Sequence, residues 1–528
     1  MSKQSEESKI IKEEVESNKE VYTAYNKIPY ALINSEIDGE GKSVLDEFIQ
    51  IAKFYKIYYK GSEFTLEGSN GDYIPANLKY RLAASLINKE ARFLFAESPD
   101  IIIEPKGDLG KLSDDSKNAL TVLNDLTKTI LDKNNFESAL IKAAKDCFIG
   151  KRIAGLVNFN EDDGVTVSFI PSIQFIYDNK PGNPNVLTKF VCYIIIKNSI
   201  TLSDKLIFKK KYEIDEDGKV YLEEALYDGT GKLIEELTKR QPIELDFIPA
   251  VVFINEGLTA DDDGESEIEW LDGSEGWYSK LSNADIDAER KNMNPIRYTI
   301  DMESRSTKNL KSSPGSYWDL GSDQNLENAK TAVGILESGM NYSSSLKTTL
   351  DRIKTGMYEQ VDMPNITLES MSGVITSGKA LKAIYWQLIV RCKEKMKMWG
   401  PQLRRLIEII IQGSLIYPNC VKQYTNDKLI PVDYEIKIDQ NLPLPEDENE
   451  EKTMDLAEVE SQTMSRKSYM KKWRGLTDSE VDDELAQIAL ERQIIEESFA
   501  GAGDTAYNEL NESANELINI ETNSEVTE

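Results

Sequence analysis

Apolar residues three or four positions apart mark a series of amphipathic helices along this chain. Ser43–Tyr58 has this spacing, and Pro75 stands where a second helix would begin and run to about residue 97. The same spacing predicts four more helices, over residues 114–132, 136–148, 268–292 and 345–360. In the helix at 268–292 four large apolar side chains lie on one side: Trp270, Leu271, Trp277 and Leu281.

Between residues 152 and 256 the apolar period changes to two, which predicts strands. Asp217-Gly218 and Asp228-Gly229 are typical hairpin turns, so this region is expected to be antiparallel. Two isolated strands are predicted outside it, over 101–103 and 433–438. The strands predicted inside it are 153–159, 165–169, 174–178, 189–197, 205–214, 219–227 and 251–254.

The second half of the chain predicts two helices that flank a small insertion. Residues 294–337 contain short strand patterns, at 297–301, 316–320 and 332–336, separated by Gly, Ser, Asn and Asp. Lys379–Leu415 reads as a long helix that Gly400-Pro401 should kink or restart, because proline removes a backbone donor. Residues 453–497 read as acid-rich helix, and the tail after residue 500 predicts partial disorder because it has few large apolar residues.

Composition limits the chemistry. The chain has 528 residues, which favours three or four domains, and its formal net charge is −30. Residues 441–528 hold 23 Asp and Glu against 7 Lys and Arg. Such an acidic chain is unsuited to wrapping DNA tightly, since neutralising phosphates requires Lys and Arg. It contains no histidine, the usual general base and metal ligand, which lowers the expectation of hydrolytic chemistry.

Two further sequence features concern location. No run of about 18 apolar residues is present, and the first 20 residues are polar, so neither a membrane span nor a secretory signal is expected. The four cysteines are widely spaced without a C-x-x-C pair. They are therefore predicted to be small buried residues in a reducing compartment: Cys147, Cys192, Cys392 and Cys420.

Three motifs allow both a chemical and a structural interpretation. Gly41-Lys42-Ser43 resembles the end of a phosphate loop, but Glu36 replaces the first glycine, which favours a turn before a helix. Acids around Asp215 have the spacing of a calcium loop, yet their flanks read as strands and favour a hairpin. The acidic runs at 261–263 and 446–451 fit either solvated linkers or metal carboxylates, with linkers favoured.

One loop has a distinctive composition. The interval from Ser370 to Gly378 is uncharged and rich in small residues, which fits an ordinary interhelical loop or a mobile finger that touches a sliding polymer. The candidate residues of such a finger are Ser370, Ser372, Gly373, Thr376 and Ser377. Single basic residues around the insertion are candidates for weak, screened phosphate contacts: Arg290, Lys291, Arg297, Arg352 and Lys354.

The order of these segments resembles the portal proteins of tailed bacteriophages, in the branch typical of phages of Gram-positive hosts. Four local phrases carry the likeness, in the right order over roughly residues 42–493: Tyr58-Tyr59-Lys60-Gly61, Ile74-Pro75-Ala76-Asn77-Leu78, Phe247-Ile248-Pro249-Ala250-Val251 and Ser377-Gly378-Lys379-Ala380-Leu381.

The resemblance implies an α+β portal-like fold with a mixed α/β wing, a two-helix stem, a small β-containing clip, a long kinked helix and a helical crown. On this plan residues 1–41 are an N-terminal arm, 42–267 the wing, 268–292 and 340–362 the stem helices, and 293–339 the clip. Residues 363–377 become the tunnel loop, 378–452 the long kinked helix and its return to the wing, 453–500 the crown, and 501–528 an acidic tail.

The resemblance also implies a function without catalysis or cofactor. Such a protein forms a homo-oligomeric ring, expected to have 12 subunits, at one vertex of the capsid in the virion, after synthesis in the host bacterial cytoplasm. Double-stranded DNA passes through it non-specifically, without membrane involvement. The implied partners are the terminase large subunit, major capsid and scaffold proteins, and head-completion or adaptor proteins. The rival interpretations are an adaptor or scaffold protein of the phage head and, more distantly, a DNA-processing enzyme.

Overall fold

In the computed structural model of the protein, the described residues are 28, 32–33, 35–36, 42–65, 74–106, 113–197, 205–258, 263–293, 295–302, 321–323, 330–336, 339–366, 378–422, 432–443, 448–475 and 480–491. The chain divides into two compact units. The first is Met1–Ser372 with Ala383–Pro443, and the second is Gly373–Lys382 with Leu444–Glu528. The mixture of helices and strands agrees with the predicted α+β class.

Four helices begin the first unit: α1 (Lys42–Lys60), α2 (Leu82–Phe95), α3 (Asp114–Lys133) and α4 (Phe136–Gly150). The helices predicted over 43–58, 114–132 and 136–148 are thereby confirmed. Helix α4 lies at the centre of the layer, in contact with α1, α2, α3 and the strands behind them. Its inner face is fully buried, as are the facing apolar residues of α1 and α2, for example Phe48, Leu94 and Phe148.

Helix α2 begins at Leu82, so the predicted start at Pro75 is wrong. Residues 74–81 form neither helix nor strand, and we call this segment the strap. Its backbone amides bond to side chains of a later helix, as when Ala76 N donates to Asp287 Oδ1 at 2.9 Å. These tertiary hydrogen bonds replace the helical ones that the apolar spacing predicted.

The predicted β region forms two antiparallel sheets. The first has the order β3-β2-β9, with β2 (Arg152–Asn160), β3 (Gly164–Pro171) and β9 (Ala250–Ile254). The second runs in chain order through β4 (Phe175–Lys180), β5 (Asn183–Lys197), β6 (Lys205–Ile214), β7 (Val220–Asp228) and β8 (Leu233–Pro242). All seven predicted strands are confirmed. Sequence analysis missed β8, an edge strand exposed along nearly its whole length, because its polar residues show no alternation.

Both predicted hairpin turns are present, one of them displaced. Gly218 has a φ of 75° at the turn between β6 and β7, where Asp215 N donates to Lys219 O at 3.0 Å. In the following turn Gly231, and not Gly229, takes the left-handed conformation, with a φ of 87°. The carboxylate of Asp228 displaces that turn by accepting hydrogen bonds from the backbone of Thr230 and Lys232.

The predicted long helix is interrupted in a different place. α7 (Gly378–Ile384) and α8 (Trp386–Ile416) are separated at Tyr385, and α8 continues through Gly400-Pro401 without a restart. Trp399 and Leu403, on either side of the proline, are fully buried. Packing on both sides holds the helical path although Pro401 contributes no N–H. Beside α8, β1 (Asp100–Pro105) pairs antiparallel with β12 (Tyr434–Asp439), which confirms both isolated strands.

The second unit contains separate helices where one acid-rich helical stretch was predicted. α9 (Glu448–Glu460) and α10 (Arg466–Arg474) are followed by helical residues 480–491. Ser465 caps α10 by accepting from Ser468 N at 3.1 Å, and Gly475 ends it with a φ of 63°. Lys472 of this locally basic helix pairs with Asp455 of α9 at 2.9 Å, and Lys467 pairs with Asp482 at 2.8 Å. The predicted tail, 501–528, lies outside the described residues.

Candidate channel elements and their buried base

An antiparallel helix pair carries a small β-ribbon at its far end. Helix α5 (Glu267–Met293) has 27 residues and packs along α6 (Ser343–Gln360), which has 18. Between them, β10 (Ile296–Ile300) and β11 (Ala332–Leu336) pair antiparallel in register. The predicted strand at 316–320 lies outside the described residues. Burial, followed by the carboxylates of Asp285 and Glu289, raises the pKa of Tyr342, which places the start of α6 beside the end of α5.

The ribbon is unusually apolar for an exposed structure. Tyr298, Ile300, Val333 and Ile335 are each 42–54% exposed, and they lie on both faces of the two strands. A two-stranded ribbon alone has little stability in water. Contiguous exposed apolar residues are typical of surfaces that contact other proteins.

The buried side of helix α5 does not coincide with the side on which its large apolar residues lie. Leu271 is buried, but Trp277 is 58% exposed. The buried side is polar and includes Glu275, Ser279 and Asn283. These side chains are buried because they bind backbone groups of other segments, for example Ser62 N, which donates to Glu275 Oε2 at 3.1 Å.

At the other end of the helix pair lies a group of four buried charged side chains, which we call the base cluster: Glu90, Glu267, Arg391 and Lys395. Arg391 Nε donates to Glu90 Oε1 at 2.7 Å, and its Nη2 lies 3.2 Å from Glu267 Oε1. Lys395 Nζ also donates to Glu267 Oε1 and lies 3.3 Å from Glu90 Oε1. The cluster therefore joins α2, the first turn of α5 and α8.

Neighbouring groups complete the surroundings of both cations. Lys395 Nζ donates to Asn255 Oδ1 at 2.8 Å and lies 3.8 Å from the centre of the Phe148 ring. Arg391 is within 3.8 Å of Asp362, two residues after the end of α6, and within 3.4 Å of Glu256. Both helices of the pair are thus held to α8 through one arginine.

The two carboxyl groups of the base cluster differ in pKa. Burial, and then the neighbouring Glu90, raises the pKa of Glu267 to about 8, although Lys395 and Arg391 oppose this. Burial also disfavours ionised Glu90, but the charges of Lys395 and Arg391 outweigh it and hold the pKa of Glu90 below its ordinary value. Glu267 is therefore the carboxyl of the cluster that keeps its proton at neutral pH, and Glu90 is the one that is ionised.

The cluster was not among the predicted sites, although the amino-acid sequence contains a signal for it. Leu388, Arg391, Lys395 and Trp399 follow the spacing of a single helical face, and the two cations interrupt an otherwise apolar stripe. Glu90 interrupts the apolar face of α2 in the same way. A charge inside an apolar stripe is costly to bury unless it meets a partner of opposite charge. The acidic residue in the stripe of α2 and the two cations in the stripe of α8 are therefore expected to lie against each other.

The five predicted basic residues are spread along the helix pair and its ribbon and do not converge. Arg290 and Lys291 lie exposed near the end of α5, where Arg290 Nη1 is 3.3 Å from Asp287 Oδ1 and donates to Ile74 O at 3.2 Å. Arg297 is exposed on β10, opposite Ile335. On α6, Arg352 is exposed and Lys354 half-buried.

The predicted finger residues Ser370, Ser372, Gly373, Thr376 and Ser377 lie outside the described residues. The segment that leads to them is well held. Val361 and Met363 are buried, and Met363 N donates to Tyr358 O at 2.9 Å. The chain therefore leaves the base of the helix pair from a fixed position and resumes at α7.

The remaining motifs are structural wherever the structure describes them. The acids near Asp215 lie on the β6–β7 hairpin, where Asp215 is 3.4 Å from Arg240, so the hairpin interpretation is confirmed. Across the described ranges, no three His, Cys, Asp or Glu side chains are grouped to hold a metal ion. Asp263, from the 261–263 run, contacts the buried Arg152 at 3.0 Å. Lys42 begins α1, as the turn interpretation expected.

The packing of the cysteines agrees with the prediction that they are small residues without disulfide bonds. Cys147, Cys192 and Cys392 are buried and Cys420 is half-buried, and all four are free thiols. Burial raises the pKa of the Cys192 and Cys392 thiols to about 12, so both are protonated and unreactive at neutral pH.

Comparison with known proteins identifies the family. The family described as phage portal protein, SPP1 Gp6-like, matches residues 12–498. No curated protein matches the chain. Among the helices that the structure describes, none is long and apolar enough to cross a membrane. Since the match extends over nearly the whole sequence, the chain belongs to the phage portal protein family and serves as a portal for the packaging of phage DNA.

Proposed function

We propose that this protein forms a ring of 12 subunits at one capsid vertex, in which α5 and α6 line the channel as the stem and β10–β11 form the clip. The observation that carries the proposal is the antiparallel helix pair, anchored at one end by the base cluster and ending in an apolar ribbon at the other. At about 1.5 Å per residue, the 27 residues of α5 extend roughly 40 Å.

The charge distribution supports a channel that carries DNA without binding it tightly. The net charge of −30 is multiplied by the number of subunits, so the summed field repels phosphates. Against this background, five basic residues supply positive charges that are spread along the stem and clip: Arg290, Lys291, Arg297, Arg352 and Lys354. Each contributes a weak contact that salt screens, which suits a polymer that must slide.

The remaining segments take the roles that the family plan assigns. Residues 42–267 form the wing, with 378–452 returning to it, residues 363–377 form the tunnel loop, and residues 453–500 form the crown. During packaging the ring binds the terminase large subunit, with the major capsid and scaffold proteins around it. The exposed apolar residues of the ribbon, among them Ile335, then bind head-completion or adaptor proteins.

Electron microscopy of the purified protein, viewed down the ring axis, tests the assembly. Class averages with a central hole and twelve-fold symmetry are the expected result. A monomer or dimer that also cleaves DNA or hydrolyses nucleotide would refute the portal assignment in favour of an enzyme.

A deletion tests the tunnel loop. Removing residues 370–376 should leave the ring intact, because the deletion removes no residue of the base cluster or of the α5–α6 pair, but should lower the amount of DNA packaged or retained. Normal packaging by this variant would show that the loop has no such role. For the basic residues, Arg352→Gln should alter packaging in a salt-dependent way. The matched control is Lys437→Gln, on β12, whose exposed side chain pairs with Glu104.

A further inference from the structure

The strap is bound to helix α5 through its backbone at every second residue. Ala76 N donates to Asp287 Oδ1 at 2.9 Å, and Tyr80 N donates to Ser279 Oγ at 3.3 Å. Between them Leu78 makes two bonds with one side chain: its N–H donates to Asn283 Oδ1 at 2.7 Å, and its carbonyl accepts from Asn283 Nδ2 at 2.7 Å. The pattern is that of a strand pairing with a row of side chains.

A fourth side chain, Glu275, extends the row into the helical layer. Its Oε2 accepts from Ser62 N at 3.1 Å and Ser62 Oγ at 2.7 Å, directly after α1 ends. Its Oε1 accepts from Ala83 N at 3.1 Å, at the start of α2, where the first amides of a helix have no partner within it. One buried carboxylate of α5 thus binds the end of α1 and the beginning of α2.

The spacing of the four residues explains how side chains of one helix can bond to alternate residues of the strap. Positions 275, 279, 283 and 287 are four apart, about 6.0 Å of axial rise in a helix. Alternate residues of an extended chain are about 6.6 Å apart, so the two repeats stay nearly in step over the strap. This match accounts for the polar buried face of α5 that the apolar pattern failed to predict.

We propose that Glu275, Ser279, Asn283 and Asp287 form a coupling row that fixes the strap in one register, so that an axial shift or tilt of α5 is transmitted to α1 and α2. Asn283 is the positioning residue that sets the register, because it alone in the row both donates to and accepts from one strap residue. The inference rests on the proposed stem role of α5: if the stem moves while DNA passes, the strap carries that movement into the wing.

Hydrogen exchange of the assembled full-length protein, read by mass spectrometry, tests the row itself. Asn283→Ala should speed exchange of peptides covering residues 76–80 by roughly ten- to a hundredfold, since two bonds to a part-buried segment are lost. Ser279→Ala, which removes one 3.3 Å bond, should have a smaller effect. The matched control is Gly273→Ala, on the same helix, where an added Cβ meets nothing within 4 Å. Unchanged exchange in Asn283→Ala would overturn the proposal.

DNA packaging by rings of the same variants tests transmission. Asn283→Ala rings should assemble and package several-fold less DNA than wild type, with Ser279→Ala intermediate and Gly273→Ala normal. Faster exchange combined with normal packaging would overturn the proposed transmission from α5 to α1 and α2. The row would then hold the strap in place without affecting DNA packaging. A failed stem assignment has a different signature: packaging would also be insensitive to deletion of 370–376 and to Arg352→Gln.

Discussion

Glu267 should make the stability of this protein fall as the pH rises, and Glu267→Gln should remove that dependence. In the folded protein Glu267 keeps its proton because burial and Glu90 raise its pKa to about 8, whereas the unfolded chain loses the proton near the ordinary value of 4.5. Between these two values the folded state binds more protons than the unfolded state. Linkage then requires that the free energy of unfolding decrease with rising pH.

The size of the effect follows from the same shift. Each unit of pKa difference corresponds to about 1.4 kcal/mol, so the loss between pH 5 and pH 8 amounts to about 3 to 4 kcal/mol. Below pH 4.5 the lowered pKa of Glu90 acts in the opposite sense, because stability is lost when Glu90 becomes protonated. A glutamine at 267 is close in size to the protonated carboxyl and, like it, is uncharged, but it does not titrate.

Urea unfolding of wild type and Glu267→Gln at five values from pH 5 to pH 9 measures the prediction. The two proteins should be similar near pH 5, and the variant should become progressively more stable up to pH 8, after which the difference levels off. Glu104→Gln, which removes an exposed carboxylate paired with Lys437, is the control and should shift stability by less than about 1 kcal/mol throughout. Parallel pH profiles for wild type and Glu267→Gln would refute the argument that buried Glu267 keeps its proton.

Three further substitutions test packing and charge, each by its change in urea midpoint. Lys395→Met should destabilise by about 3 to 5 kcal/mol, because it leaves Asn255 Oδ1 and Glu267 Oε1 without their buried donor and removes one of the two cations that keep Glu90 ionised. Lys437→Met is its exposed control, and a loss below about 1 kcal/mol in Lys395→Met would contradict the burial argument. Trp399→Ala should cost about 3 to 5 kcal/mol, since the indole is fully buried and centred 4.7 Å from the ring of Phe253. Gly356→Ala should stabilise α6 by about 0.5 to 1 kcal/mol, because alanine favours helix over glycine and the added Cβ meets nothing within 4 Å. A loss of stability would contradict this and would indicate that a neighbouring subunit contacts position 356 in the ring.

Elements with strong local periodicity could be predicted from sequence, and those defined by distant partners could not. The alternation of Lys205–Ile214 and the apolar spacing of Phe136–Gly150 reflect burial on one side, which sequence records directly. The strap has helical apolar spacing but forms no helix, since its amides bind side chains about 200 residues later in the chain. Nothing local to residues 74–81 encodes that pairing.

In the candidate site, too, some features could be predicted from local sequence and others could not. The helix–insertion–helix order was readable because each helix carries its own periodicity, and it led to the portal family that the comparison then identified. The polar buried face of α5 was not readable, because Asn283 and Ser279 resemble solvent-facing residues until the strap is placed against them. Trp277 shows the complementary case: it lies on the apolar side of α5 and is nevertheless exposed, since a large apolar residue need not be buried.

The base cluster can form only late in the synthesis of the chain. Arg391 lies 301 residues after Glu90 and 124 after Glu267, so both carboxyls emerge from the ribosome long before either cation. At roughly 5 to 20 residues per second, Glu90 waits about 15 to 60 seconds for its partners. Until then, closing the packing around it would bury an uncompensated charge, which is strongly unfavourable. Packing around these carboxyls therefore becomes favourable only once α8 supplies the two cations, so we expect a subunit truncated before α8 to leave this part of its core incomplete.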